Sequence, residues 1–183
     1  MNTQPFICLD MTSCLNNCGT TDNSSYQHGY LSSSGVSLPR ENILFHTPFE
    51  FNDIPFVLFR QNYRDNMVTE GQAIQFPEAR ISKIHVLGAS SDVNMSDYMY
   101  LKHNETLLSK EKMMLSHFAS EAPFARNVCI LETAGLNTLD GPLAHRTGRL
   151  WLDILHLTEP LEINQLTFED NPCMHIFGIT LER

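Results

Sequence analysis

The chain has 183 residues, of which 42% are apolar and 18% charged, with 12 basic and 21 acidic side chains and a formal net charge of −9. That composition suits one globular domain over residues 1–183 with a core of its own. No block of Lys and Arg is present to displace counterions from phosphate, so no nucleic-acid partner is expected. No run approaches the ~20 apolar residues of a bilayer span, so no membrane partner is expected either.

The chain opens with Leu9-Asp10-Met11-Thr12 and Leu15-Asn16-Asn17-Cys18-Gly19, which read as a short strand followed by a polar turn. Residues 19–35 are rich in Ser, Thr, Asn and Gly and are expected to form a long loop. Period-two alternation then begins, with Ile43, Phe45, Thr47, Phe49 and Phe51 on one side. Asn52-Asp53 marks a turn, after which Ile54, Phe56 and Leu58 resume an apolar face. Asp65 through Pro77 gives a polar turn, a strand and a proline stop, and residues 81–89 a longer buried strand.

Residues 110–126, with Met113, Met114, Phe118 and Ala122, fit a helical turn or an irregular crossover. Beyond them Leu150, Leu152, Ile154 and His156 alternate with Arg149, Trp151, Asp153 and Leu155. Leu166 and Phe168 mark a further strand, and Cys173, His175, Phe177, Ile179 and Leu181 are expected to form the inward set of the last one. Short strands punctuated by turns predict an all-β fold, a sandwich of two packed antiparallel sheets with at least eight strands.

Several of these segments, in this order, are similar to a known module. Asp65-Asn66-Met67-Val68 with Gly71, the 81–89 strand, Asn16-Asn17 with Gly19, Ser34 through Asn42, and Asn171-Pro172 with His175, Phe177 and Leu181 carry the likeness. Together they resemble a carbohydrate-binding-like β-sandwich module of the kind appended to bacterial glycoside hydrolases. The resemblance implies a jelly-roll, galactose-binding-like fold and a glycan or other small-molecule ligand. For residues 110–126 it favours strand followed by loop. Ser116-His117-Phe118 stands where the module carries Ser-Asp-Trp, so a ligand contact made there lacks its acid and its indole.

Site candidates follow from residue chemistry. Trp151, the lone tryptophan, falls by alternation on the face away from Leu150 and Leu152, beside Arg149 and Asp153. An aromatic ring with flanking Arg and Asp could hold a sugar, although a tryptophan is more often buried. The loop residues Asn17, Asp22, Tyr26, His28 and Tyr30 mix amide, carboxylate and aromatic groups. Asp65 and Asn66 are candidates for ligand contacts, with turn chemistry that positions the next strand as the favoured account.

No metal is expected, since neither His85, His156 and His175 nor Cys14, Cys18 and His28 has a zinc spacing. A satisfied sheet position is the better account of the strand histidines. The resemblance leaves a structural calcium open, with Asp10 or Glu182 as oxygen donors, and no other cofactor is expected. Catalytic signatures are absent, as neither a GxSxG elbow nor a phosphate- or dinucleotide-binding loop occurs.

Five cysteines, Cys8, Cys14, Cys18, Cys129 and Cys173, are an odd number without a disulfide-framework spacing. With no leader visible, they predict free thiols and a cytoplasmic protein, or a secreted one if a leader has been removed. The leading expectation is a non-catalytic carbohydrate- or small polyol-binding protein, with homo-oligomerisation open. A small enzyme that cyclises, isomerises or cleaves a small molecule and a structural interaction module are the alternatives.

Overall fold

The protein was analysed as a computed structural model that describes residues 4–41 and 43–183; Asn42, at the end of the 34–42 segment, lies outside them. The described residues hold fourteen strands and two single-turn 3₁₀ segments, Thr12–Cys14 and Tyr26–His28. The fold is all-β. In chain order the strands are β1 (Phe6–Cys8), β2 (Thr20–Thr21), β3 (Leu38–Pro39), β4 (Phe49–Phe51) and β5 (Ile54–Phe56). They continue with β6 (Met67–Glu70), β7 (Ala73–Ser90), β8 (Met95–His103), β9 (Thr106–Leu115) and β10 (Val128–Thr133). The last four are β11 (Leu136–Thr138), β12 (Gly141–Leu143), β13 (Gly148–Phe168) and β14 (Asp170–Glu182).

Hydrogen bonding joins eight strands into one sheet in the order β1-β14-β7-β13-β8-β9, with β10 added on β13 and β6 on β14. The other six form three two-stranded pairs. All pairings in the large sheet are antiparallel. The long β13 pairs β7 along most of its length and also pairs β10 near its start and β8 at its C-terminal end. Residues 110–126 run as strand to Leu115 and as loop beyond it.

Apolar side chains cover both faces of the sheet. Ile84, Val86, Ile176, Ile179 and Leu181 belong to one buried cluster with Met99, Leu101, Met113 and Leu115 from the β8–β9 hairpin. Leu87, Ala89, Leu150, Trp151 and Phe177 belong to a second. Neighbours in a strand point to opposite faces, so Val86 and Leu87, or Ile176 and Phe177, fix the two clusters on the two sides. The second is roofed by Leu31, Leu38, Ile43, Ile54, Phe56 and Leu58, from irregular chain and short pairs. The expected two sheets thus differ from the hydrogen-bonded arrangement: one face is covered by the hairpin of the same sheet, the other chiefly by loops.

Two local departures from alternation matter. A bulge between Ile176 and Gly178 in β14 inserts one residue against β7. The face presented therefore switches, and the expected inward set divides: Phe177 joins the second cluster, Ile179 and Leu181 the first. Opposite the bulge, a Cβ on Gly88 would stand 2.4 Å from the His175 carbonyl oxygen, so only glycine lets β7 approach β14 there. The alternation over 43–48 does not become a strand, because His46 adopts φ 60° and breaks the extension.

Trp151 is 2% exposed within the second cluster, and its indole Nε1 donates to the His117 carbonyl at 3.1 Å. Its strand is buried on both sides, so alternation does not bring the ring to solvent, and the ligand-stacking role is withdrawn. Trp151→Ala should cost about 3–5 kcal/mol through the cavity it opens, lowering the melting temperature by roughly 6–20 °C. A variant that melts with the wild type would contradict this packing.

Candidate functional site

The site grows from the join between the N-terminal segment and β6. Asn16 and Asn17 both donate their backbone N–H to the Asn66 carbonyl, and Asp65 N–H returns to the Asn17 carbonyl at 2.9 Å. The Asn16 side-chain amide then imitates a strand: Nδ2 donates to the Val68 carbonyl at 3.0 Å and Oδ1 accepts from Val68 N–H at 2.7 Å. A polar turn with Asn at both positions can make these bonds where an apolar one could not.

Beneath this join lies Asp65, fully buried and without a cationic partner. Its carboxylate accepts from Gly19 N–H at 2.8 Å, from Thr20 N–H at 2.9 Å, from the Thr20 hydroxyl, and from Asn66 Nδ2 at 2.8 Å. Burial pushes its pKa up, and the four donors pull it back. Gly19 is dictated by the same packing, since a Cβ there would stand 2.5 Å from Asn66 Nδ2 and 2.6 Å from the Phe177 ring.

Asn66 passes the orientation on. Its Nδ2 faces two acceptors, Asp65 and the Asn17 carbonyl, which turns Oδ1 toward His175 Nδ1 at 3.2 Å. Asn17 Nδ2 donates to the same Oδ1 at 3.1 Å and lies 3.3 Å from Nδ1. Nδ1 thus has an amide oxygen and an amide nitrogen in reach and is bonded in either tautomer, and Nε2 is the ring nitrogen left over. His175 is 2% exposed, and Nε2 has no protein partner. Burial pulls its pKa down to about 4, so the ring is neutral near pH 7.

His175 and Asn17 form part of the wall of a cleft of about 490 Å³. Asn16, Ser32, Ser33, Ser91, Glu70 and Asp92 add polar groups, Leu31, Val68, Pro172 and Cys173 complete the lining, and Tyr30 stands at the rim, 58% exposed. Of the sequence-expected residues, Asn17 and Tyr30 meet here, with Asp65 and Asn66 as buried support behind them. The contact role for Asp65 and Asn66 is therefore replaced by a positioning one.

The others lie outside the cleft lining. Asp22 pairs with Arg40 and accepts from Ser24 and Ser25. Tyr26 donates to Asn23. His28 stacks on Tyr63 with ring centroids 4.1 Å apart. Arg149 binds Glu132 at 2.7 Å and the Ser120 carbonyl at 2.7 Å. At the position of the module's Ser-Asp-Trp, Ser116 and Phe118 are buried and structural.

The two suggested calcium donors differ in surroundings, Glu182 being held by side chains and Asp10 exposed. Glu182 accepts from Lys83 at 2.6 Å and lies 2.9 Å from His85 Nε2, and Asp10 accepts from Thr12 N–H at 2.9 Å. All five cysteines are free thiols.

Sequence reasoning missed Glu70, Asp92 and His175 as site residues. They come from three segments far apart in the chain, and only the pairing of β14 with β6 and β7 brings them together. Comparison with protein-family models and with curated proteins finds no match.

Two outcomes test this site. Asp65→Ala would orphan at least two buried backbone N–H groups and is expected to cost 3 kcal/mol or about that, with faster proteolysis in residues 19–35. An unchanged cleavage rate and melting curve would remove Asp65 from its supporting role. For His175 the folded pKa lies below its ordinary value of 6.5. Above that pH the ring is neutral in folded and unfolded chains alike. As pH falls from 6.5 toward 4 the unfolded chain takes up the proton first, so stability declines by on the order of 3 kcal/mol and then levels off. Urea titrations of wild type and His175→Gln should show their stability gap shrinking over that window. A constant gap would mean that His175 is not the titrating group.

Proposed function

We propose that the protein binds a carbohydrate or small polyol in the cleft between the 16–17 and 30–33 segments, β6 and the start of β14, with no chemistry of its own. One observation carries the reading: a concavity of about 490 Å³ whose polar lining is amides, hydroxyls, two carboxylates and one neutral imidazole, with a tyrosine at its rim. That volume is of the size that small ligands fill. A polyol offers donors and acceptors in every direction, which suits Asn16, Asn17, Ser32 and Ser91, and its C–H face suits Tyr30.

The curled sheet with its covering layer is consistent with a jelly-roll sandwich of the galactose-binding-like kind, and the sequence motifs lend that reading support. Asn16, Asn17, Asn66 and His175, drawn from those motifs, are the residues that build the cleft or its backing.

A second reading, a small enzyme, has a single observation in its favour. His175 is a neutral base whose outer nitrogen lacks a partner while its inner one is held by Asn66. Incubation of each bound sugar followed by NMR separates the two readings, since an enzyme would convert its ligand and a binding protein would return it unchanged.

Titration against a panel of mono- and disaccharides and linear polyols should reveal saturable binding. Tyr30→Ala, at an exposed position, should fold normally and bind about three- to tenfold more weakly, as expected for loss of one stacked ring. A panel with no binder, or an affinity indifferent to Tyr30, would sink the proposal.

A further inference from the structure

The cleft is charged as well as polar. Glu70, at the end of β6, and Asp92, in the turn between β7 and β8, both line it, and both are exposed. Neither carboxylate forms an ion pair with a described residue, and no Lys or Arg lines the cleft. Glu70 is held toward its place by Asn16 Nδ2, which donates to Oε2 at 3.1 Å. The other ion pairs of the protein lie elsewhere, so this is a place where two carboxylates face one cavity without a counter-charge.

Two acidic side chains would by themselves be a solvated rim. His175 supplies the independent indication of a ligand: it lines the same cleft, is 2% exposed, and leaves Nε2 unpartnered. A buried polar atom without a partner costs free energy, and a ligand hydroxyl, which both donates and accepts, would remove that cost. The cleft therefore asks for a hydroxyl beside His175 and a positive charge beside Glu70 and Asp92. An anionic sugar would meet two like charges and an overall net charge of −9.

We propose that the ligand is an amino-bearing polyol, an amino sugar in its protonated form, with its ammonium group between Glu70 and Asp92 and a hydroxyl bonded to His175 Nε2. The assignment rests on the polyol-binding reading and narrows it to one charge class. Phosphorylated sugars and uronic acids are excluded by the same carboxylates. Neutral sugars retain the hydrogen bonds and lose the charge contact.

The test is a calorimetric titration of the full chain at low salt and slightly acidic pH with D-glucosamine, N-acetyl-D-glucosamine, D-glucose and D-glucuronate. Glucosamine should bind about fivefold more tightly than glucose, the size expected of two exposed charge pairs. N-acetylglucosamine, which keeps the nitrogen and loses its charge, should bind no more tightly than glucose. The preference should fade at high salt, and Glu70→Gln with Asp92→Asn should abolish it, so that the double variant binds glucosamine and glucose alike.

Equal affinity for glucosamine and glucose would overturn the charge assignment and leave the polyol reading standing. A preference that survives both substitutions, or tighter binding of glucuronate, would overturn it as well. If none of the four binds, the assignment is refuted for these probes, and the wider sugar panel decides whether polyol binding falls with it.

Discussion

The buried carboxylate of Asp65 is the constraint on which the functional end of the protein depends. A carboxylate out of water must be met by donors, and here the donors are the backbone at Gly19 and Thr20, the Thr20 hydroxyl and the Asn66 amide. Meeting it fixes the start of the long loop against β6. It also fixes which way the Asn66 amide faces, and through Asn66 and Asn17 the placement of the His175 ring. The order of dependence runs from desolvation cost to loop position to side-chain orientation, and the cleft is its last consequence.

The same reasoning explains why so many polar residues of the loop do not enter the cleft. Asp22, Tyr26 and His28 are consumed by partners of their own, an arginine, an asparagine and a tyrosine ring respectively. A loop rich in hydrogen-bonding groups satisfies most of them internally, because ordering it otherwise would leave them competing with water. What remains outward is Tyr30 and the serines beside it.

Much of the fold was legible where local chemistry decides. Asn52 and Asp53 both adopt positive φ, 50° and 62°, as the tight turn between β4 and β5 requires, and their residue types announce it. The strand after Asp65 and the long strand ending at Ser90 were legible for similar reasons. Legibility failed where the pattern is non-local. The alternation through Phe45 and Thr47 looks like a strand yet makes only a single bridge, Phe45 to Leu58. The bulge in β14 is invisible to a period of two, so one inward set could not be told from two. Trp151 could not be placed by alternation because its strand has a core on each side. Of the site, Asn17 and Tyr30 were recognisable by type and loop position. His175 was not, since a histidine on a strand gives no sign that its inner nitrogen is held and its outer one is left over.

The pairing of β1 with β14 has a consequence for how the chain reaches this state. The strand that sits between β1 and β7 follows every other described strand in chain order, and it also carries β6 and His175. Until residues 170–182 emerge, β1, β6 and one edge of β7 have no partner, and both apolar clusters stand open along that seam. Non-local strand pairing of this kind pays its loop-closure entropy before any contact repays it, which slows folding. A nascent chain would thus hold an unpaired apolar edge until β14 emerges, and the burden of escaping aggregation falls on that thirteen-residue strand.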